Sequence, residues 1–314
     1  MNISFRPWIN DLTETFLNKR KGEIKIGEKL SEVDEADFVI IGVEESIGPQ
    51  ANHGNQGAQN GFSSFLPKFL NMQWNRFVDG QKVAILGAIV PSNPENLSLE
   101  KKREFVSAID EYILKILNEH LKSNQIPILI GGGHNNALPI MRWAANKSPI
   151  NVINLDPHAD YRPLEGRHSG NSFSYAFEEK TLKKYAVLGL HKAYNSENML
   201  KKLANDGHKV TFFDDWLNEK SSLKRDLKSS VSFFKEKKVG VELDLDSISF
   251  MPTSAFTPSG ISMEEARFYI HFTANKFSPV YLHLPEAAPK NDYEAMVTGK
   301  SIAYLVYDFI ISTI

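Results

Sequence analysis

The feature that most constrains this 314-residue chain is a series of short apolar runs, each ending at polar residues or glycine. Predicted strands cover 38–43, 83–87, 126–130, 150–155, 186–190, 210–213, 239–245 and 280–284. Because most of these runs are apolar throughout rather than alternating, they are typical of parallel strands that helices cover on both faces. Helical patterns between them include 99–121 and 301–311. We therefore expect an α/β fold with a mostly parallel sheet, forming a single domain over residues 1–314.

The composition is that of a soluble globular protein, with 42% hydrophobic residues, 24% charged residues and a formal net charge of −2. This near-neutral balance gives no support for a nucleic-acid or anionic-membrane partner. The chain has no cysteine, which excludes disulfides, a thiolate nucleophile and cysteine-ligated zinc. No window approaches the roughly 20 apolar residues of a membrane span, and the N-terminus does not resemble a signal peptide. We expect a cytoplasmic protein that acts on a small molecule; a homo-oligomer is compatible with the sequence, which does not fix the oligomeric state.

Three segments at the ends of predicted strands carry most of the candidate chemistry. Their sequences are GGGH at 131–134, DPHAD at 156–160 and DLD at 244–246. Side chains at positions i and i+2 of a strand point to the same face, so the acidic and histidine side chains within each segment can converge. Since ligands of parallel sheets bind at the carboxyl ends of the strands, we expect the three segments to meet at one site.

A metal centre is the physical explanation that the three segments favour. Close carboxylates raise one another's pKa values and are costly to bury unless a cation neutralises them. Carboxylate ligands with some imidazole suit Mn²⁺ or a similar ion, although Fe²⁺, Co²⁺ or Zn²⁺ would also be accepted. Two metals that share aspartates would lower the pKa of a bound water, as in hydrolases. The combination therefore predicts a binuclear metallohydrolase.

Each segment alone has a more ordinary interpretation. A single D-x-H-x-D or D-x-D is more often a solvated turn or a surface pair. The triple glycine could cradle a phosphate, which would indicate a nucleotide-binding α/β protein, although it matches neither the dinucleotide nor the P-loop pattern. The coincidence of three complementary segments at strand ends favours the metal site over these alternatives.

The order and residue types of the segments resemble the ureohydrolase superfamily of arginases, agmatinases and formimidoylglutamases. The resemblance extends from about residue 38 to the C-terminus and implies an arginase-like, three-layer α/β/α fold with two Mn²⁺ per subunit. It implies that one metal is bound by His134, Asp156, Asp160 and Asp244, and the other by Asp156, His158, Asp244 and Asp246. Asp156 and Asp244 would then bridge the two metals.

The resemblance also implies two catalytic carboxylates. In this family a glutamate after the last core strand holds the cationic nitrogen end of the substrate, and LPEAAP at 284–289 makes Glu286 the candidate. A fixed carboxylate matches the fork of an amidinium or guanidinium group. The ordinary alternative for Glu286 is a surface-loop acid, but its place after an apolar run favours function. Asp160 would bind a metal and also pass a proton to the departing nitrogen.

The loop after the second segment resembles formimidoylglutamases more than arginases. It carries D-Y-R at 160–162 and S-G-N-S-F at 169–173, and the segment 52–58 resembles an N-x-G-x-x-G-A pattern of the same enzymes. Arginases and agmatinases also usually carry aspartate where Gly133 stands. These patterns predict a formimidoylglutamase rather than an arginase.

The substrate that this implies, N-formimidoyl-L-glutamate, has two carboxylates beside its amidine. We therefore expect Arg162 and Arg167 to contact the substrate at the pocket rim, together with Asn171. Either arginine could instead be a solvated loop charge or pair with Glu165. Ser169 stands where arginases and agmatinases carry a catalytic loop histidine, so that either His168 reaches in from a shifted loop or no histidine shuttle is used.

The predicted reaction is hydrolysis of N-formimidoyl-L-glutamate to L-glutamate and formamide, a step of histidine degradation, with Asp160, Glu286 and His168 as catalytic residues. The first alternative is an arginase or another guanidino-substrate amidinohydrolase. The second is a non-catalytic, metal-binding member of the family.

Overall fold

The computed structural model describes residues 2–92 and 96–313. Its strands are β1 (Ile3–Pro7), β2 (Phe38–Val43), β3 (Val83–Pro91), β4 (Ile126–Ile130), β5 (Ile150–Leu155), β6 (Leu182–Leu190), β7 (Lys209–Phe212), β8 (Lys238–Leu243) and β9 (Ser278–Leu284). They form one nine-stranded sheet in the order β1-β3-β2-β4-β9-β8-β5-β6-β7. Only β1 is antiparallel to its neighbour, which confirms the predicted, mostly parallel sheet.

The helices are α1 (Asn10–Phe16), α2 (Ile47–Ala51), α3 (Gly61–Leu70), α4 (Leu99–His120), α5 (Ala137–Ala144), α6 (Ser172–Glu178), α7 (Glu197–Asn205), α8 (Phe213–Leu217), α9 (Leu223–Phe234), α10 (Met263–Lys276) and α11 (Asp292–Ser312). Helices α3, α9, α10 and α11 share one apolar core with the sheet, and α2, α4, α5, α6 and α7 share the other. The expected three-layer α/β/α architecture is confirmed. No helix within the described ranges combines the length and apolar character needed to span a membrane.

The two cores follow from the alternation of strand side chains. On β2, Phe38 and Ile40 enter the core of α3, α10 and α11, whereas Val39 and Ile41 enter the core of α4 and α5. All four are buried, and burying such a side chain stabilises the fold by about 1.5–3 kcal/mol. Because both faces of the sheet are covered by helices, β2 needs apolar side chains on both sides and its sequence is a continuous apolar run.

Four neighbouring central strands converge on one edge of the sheet. At their carboxyl ends, β4 leads to the glycine turn 131–133, β9 to residue 286, β8 to 244–246 and β5 to 156–160. The topology therefore brings together residues as distant in sequence as His134 and Glu286, which lie 152 positions apart. The predicted single domain over 1–314 stays a prediction, and residues 1, 93–95 and 314 lie outside the described residues.

Candidate metal centre

The glycine turn after β4 aims His134 at the edge of the sheet. Gly132 has a φ of +68°, and a Cβ there would come within 2.2 Å of the Asn136 side chain, so the turn needs glycine. The turn is held by Glu45, a fully buried residue whose carboxylate accepts a hydrogen bond of 2.7 Å from the Gly133 N–H. Sequence reasoning did not identify Glu45, because an acid just after a strand has no distinctive local pattern.

His134 is completely buried, and its Nδ1 atom faces three carboxylates. The Nδ1 atom lies 3.2 Å from Asp156 Oδ2, 3.0 Å from Asp160 Oδ2 and 2.9 Å from Asp244 Oδ2. Burial lowers the pKa of His134, but hydrogen bonds to these carboxylates raise it well above its ordinary value. The four side chains form one group that could hold a metal ion.

A second group lies beside the first and shares Asp156 with it. His158 Nδ1 is 3.2 Å from Asp246 Oδ2 and 3.7 Å from Asp156 Oδ1. Asp244 belongs only to the first group, so its bridging role remains a prediction. The two strand-end loops hold their own acids in place: Asp156 Oδ1 accepts from the His158 N–H at 2.7 Å, and Asp244 Oδ1 accepts from the Asp246 N–H at 2.9 Å.

The chemistry of these donors fits a pair of divalent cations. Burial raises the pKa of Asp246 to about 6, with the charge of His158 opposing the rise. Burial and then the charges of Asp246 and Asp156 raise the pKa of Asp244 well above its usual range. Asp246 Oδ1 is buried without a hydrogen-bond partner among the described residues. A cation in each group would supply the missing positive charge, and aspartate oxygens with imidazole nitrogens suit Mn²⁺ or a similar ion.

Glu286 is fixed beside the first group by two hydrogen bonds. Its Oε1 accepts from the His134 backbone N–H at 2.7 Å, and its Oε2 accepts from the Ser254 hydroxyl. Its backbone is left-handed, with a φ of +71°, which is uncommon for a residue other than glycine. Burial and then the charge of Asp244 raise its pKa to about 8. Sequence reasoning did not identify Ser254, because the residues around it match no recognisable motif.

A cavity of about 200 Å³ connects these groups to solvent. Its buried or half-buried lining includes His158, Asp160, Asp244, Asp246, Ser254 and Glu286, and its exposed lining includes His53, Arg162 and Tyr194. The ring of Tyr194 lies 5.6 Å from that of His158. The cavity is therefore acidic where it is buried and carries an exposed arginine at its mouth.

Arg167 does not line this cavity, contrary to the sequence prediction. It is 4% exposed, and its Nε donates to Asp110 Oδ2 of α4 at 2.8 Å. Its Nη2 donates to the Asn135 carbonyl at 2.9 Å, and Nη1 donates to Asn171 Oδ1. The expectation of a rim arginine at this position is wrong because the guanidinium points inward and binds protein groups.

Asn171 and His168 are also corrected by the structure. Asn171 is buried, and its Oδ1 accepts from Arg167 and from the His168 N–H, so it stabilises the loop and does not contact the cavity. His168 is buried too, with Nδ1 accepting from the Gly170 N–H at 3.1 Å and Nε2 3.1 Å from Glu165. Burial lowers the pKa of His168 to about 4. The expectation that His168 reaches into the site is wrong because its ring caps its own loop.

A carboxylate behind His134 was missed at the sequence level. Glu242 lies on β8, and its Oε2 is 2.6 Å from His283 Nδ1 and 3.4 Å from His134 Nε2. Burial raises the pKa of Glu242, but the two histidines outweigh this and hold it below its usual range. A glutamate inside an otherwise apolar strand was the available signal.

The model of the arginase family matches residues 36–312. A formimidoylglutamase from Streptococcus gordonii is 28% identical over 177 residues, which cover 53% of this chain and 50% of that protein. This chain thus spans about half the length of the streptococcal relatives that it matches. A formimidoylglutamase from Clostridium tetani is 26% identical over 293 residues, covering 87% of this chain and 82% of that protein.

Among solved structures, a Trypanosoma cruzi formiminoglutamase with Mn²⁺ superimposes with a TM-score of 0.75 at 20% identity. The superposition covers 92% of this chain and 98% of that chain. At this level of identity the likeness demonstrates a shared fold.

Proposed function

The chain belongs to the arginase family, and from this premise we propose that it is a hydrolase of linear amidines that uses two Mn²⁺ ions. We propose N-formimidoyl-L-glutamate as its substrate, with L-glutamate and formamide as products. The polarity of the cavity carries the proposal: the buried Glu286 carboxylate, which belongs to neither metal-binding group, suits a cationic amidinium, and the exposed Arg162 suits a distal carboxylate. The names of the relatives from S. gordonii and C. tetani support the same substrate.

The proposed ligands of the first ion are His134, Asp156, Asp160 and Asp244, and those of the second are Asp156, His158, Asp244 and Asp246. When bound, the ions would lower the pKa of a water molecule and stabilise negative charge that develops on the substrate. The loop N–H groups that donate to Asp156 and Asp244 hold these carboxylates in place before any ion arrives. This preorganisation supports the assignment of the strand-end loops as the metal-binding elements.

Glu286 is proposed to orient the amidine. Its carboxylate is already fixed by His134 and Ser254, so little conformational freedom is lost when a substrate binds. A cationic amidinium beside it favours the ionised carboxylate and opposes the effect of burial on its pKa. Paired N–H groups of the substrate would donate to this carboxylate and place the amidine carbon near the acidic groups.

Asp160 is proposed to move the proton. It lines the cavity, and its backbone is left-handed with a φ of +46°. Such strain is retained where the surrounding structure enforces it, often at functional sites. In the overall reaction the bond between the amidine carbon and the glutamate nitrogen breaks, and the water oxygen becomes the carbonyl oxygen of formamide. With a cationic amidinium as the substrate, both protons of the water end on the departing nitrogen, which leaves as the ammonium group of glutamate, and Asp160 would carry the first of them.

The decisive experiment compares two substrates on the Mn²⁺-loaded protein. Formamide release from N-formimidoyl-L-glutamate and urea release from L-arginine would be followed side by side. We expect selective turnover of the formimidoyl substrate. Urea release without formamide release would overturn the substrate and retain the hydrolase. No turnover of either, with two ions bound per chain, would indicate a non-catalytic metal-binding protein.

A guanidine hydrolase is the second candidate function, and one observation favours it. Arg167 is buried against Asp110, so Arg162 is left as the one arginine among the residues that line the described cavity. A dicarboxylate substrate therefore has one fewer cationic partner than the sequence predicts. The same side-by-side assay decides between the candidates.

A further inference from the structure

Glu242 forms the centre of a buried polar cluster outside the cavity. The residue is fully buried, and its Oε1 accepts from the Tyr281 hydroxyl at 2.8 Å. Its Oε2 accepts from His283 Nδ1 at 2.6 Å and faces His134 Nε2 at 3.4 Å. The same oxygen thus lies between the His283 ring and the ring nitrogen of His134 that points away from the three aspartates.

The register of the central strands produces this cluster. Glu242 of β8 is the register partner of His283 of β9, and His283 is in turn the partner of Leu129 of β4. His134 follows the glycine turn 131–133 that ends β4. Because side chains alternate along a strand, Glu242 and Asp244 share a face, as do Tyr281 and His283. Glu242, Tyr281 and His283 are therefore held by two adjacent strands, and His134 is brought to them by the glycine turn.

A buried carboxylate needs donors, and this one has few. None of the ion pairs formed by lysine or arginine in the described ranges includes Glu242, so its donors are neutral or imidazole groups. Meanwhile His134 Nε2 has no hydrogen-bond partner among the described residues. Leaving a buried N–H unsatisfied costs about 1–3 kcal/mol. Glu242 Oε2 and His134 Nε2 lie 3.4 Å apart and would form a hydrogen bond if this distance shortened slightly.

This pairing selects one tautomer of His134. A neutral imidazole has one N–H and one lone pair. If Nε2 carries the hydrogen, it can donate to Glu242, and the Nδ1 lone pair then faces Asp156, Asp160 and Asp244. In the other tautomer the lone pair would face the Glu242 carboxylate, which is repulsive, and Nδ1 could not bind a cation.

We propose that Glu242, supported by His283, is a positioning residue that fixes His134 in the tautomer whose Nδ1 binds the first metal ion. The inference rests on the proposed function, because it requires an ion at that position. An ion bound at Nδ1 would withdraw electron density from the ring and make the Nε2–H a stronger donor to Glu242. Partners of metal-binding histidines typically change metal affinity by about 10–100-fold.

Metal binding to the full chain tests this inference. Mn²⁺ isotherms would be measured by calorimetry and by electron paramagnetic resonance for wild type, Glu242→Gln and the control Tyr281→Phe. The control removes the hydrogen bond that Glu242 Oε1 accepts from Tyr281 and leaves the contact of Oε2 with His134. We expect Glu242→Gln to weaken the binding of one of the two ions by about 10–100-fold. The same substitution should lower kcat more than it raises KM. Tyr281→Phe should leave the affinity for both ions within about threefold of the wild-type values, because it does not alter the His134 tautomer.

A second variant and a spectroscopic signature keep the test informative if Glu242→Gln folds poorly. Glu242→Asp keeps the charge but withdraws the carboxylate from His134 by one methylene, and we expect an intermediate loss for the same ion. In the Zn²⁺-loaded protein, ¹⁵N–¹H correlation spectra should show the hydrogen of His134 on Nε2 in wild type and lose that pattern in Glu242→Gln. Wild-type affinities and an unchanged pattern in both variants would overturn the inference while the proposed function stands. A wild type that binds no Mn²⁺ and turns over no substrate would overturn both.

Discussion

Asp246 is a buried acid whose ionised form opposes folding and whose proposed role is to bind the second ion. Burial raises its pKa to about 6, so at pH 7 its charge destabilises the folded, metal-free chain. We predict that Asp246→Asn loses turnover by at least about 100-fold, because it removes a proposed metal ligand. Its melting temperature without metal should equal or exceed that of wild type. Kinetics and thermal melts in chelator measure the two effects.

The control for this substitution is Asp34→Asn, which alters a carboxylate whose side chain is 85% exposed and lies outside the cavity. It should leave turnover unchanged. Full activity in Asp246→Asn would contradict the assignment of Asp246 to the second ion.

Arg162 is exposed and lines the cavity, so its charge is available to a substrate carboxylate. Hydrogen bonds to charged groups contribute about 1.5–3 kcal/mol, which corresponds to a roughly 10–100-fold change. We predict that Arg162→Ala raises KM for N-formimidoyl-L-glutamate by this factor and leaves the melting temperature unchanged. Steady-state kinetics should also be measured with an N-alkylformamidine that lacks carboxylates. An equal loss on both substrates would show that Arg162 does not bind a carboxylate.

The loop between β5 and α6 is attached to α4 by the buried pair of Arg167 and Asp110. Breaking a buried ion pair by removing one partner typically costs about 3–5 kcal/mol. We therefore predict that Arg167→Ala lowers the free energy of unfolding by about this amount in urea titrations. Arg162→Ala, from the same loop, is the matched control and should change it by less than about 0.5 kcal/mol. Unchanged stability with a raised KM would instead restore the predicted rim role of Arg167.

The elements that the sequence predicts well are those whose environment is uniform. The strands over 126–130 and 150–155 have the predicted bounds, because each is buried on both faces and ends at polar residues or glycine. The edge strand β1 was not predicted, because Ile3–Pro7 is mostly exposed or half-buried and carries no apolar run. The last helix begins at Asp292 rather than 301, since the Asn291 side chain caps it by accepting from the Glu294 N–H.

The same distinction applies to the candidate site. The spacing within the three strand-end segments was sufficient to predict which six side chains meet, because strand periodicity and the parallel sheet determine their positions. The direction of Arg167 and His168 was not predictable, because it depends on α4 and on contacts within the loop. Glu242 was missed because its partner, His283, lies 41 residues further along the chain.

Across the whole molecule, several buried groups hold protons that the unfolded chain releases. The pKa of Glu286 is raised to about 8 and that of Asp246 to about 6, in both cases mainly by burial. The stability that such a group contributes is complete below its unfolded pKa and is lost as the pH rises through its folded pKa. His168 and His208 have pKa values lowered to about 4, so their contribution to stability increases as the pH rises from about 4 to their ordinary pKa of 6.5. Above pH 6.5 they add no further change.

We therefore predict that the melting temperature of the metal-free protein falls by on the order of a few degrees between about pH 6.5 and 8. Saturating Mn²⁺ should remove this slope, because bound cations keep the carboxylates ionised. Thermal melts across this range in chelator and in Mn²⁺ measure the difference, and Glu286→Gln should flatten the upper part of the chelator profile. A flat or rising profile in chelator would contradict the prediction.

The buried polar groups Glu242, Tyr281 and His283 all lie on the face of the sheet that α4 and α5 cover, and none of the three lies on the face that α3, α10 and α11 cover. Substitutions in α10 and α11 therefore leave the side-chain contacts of this polar cluster in place. Random substitutions in α10 and α11 should change thermal tolerance far more often than kcat/KM, which a mutational scan of both properties would reveal. Heat tolerance could therefore be engineered on one side of the sheet without altering the buried polar cluster on the other.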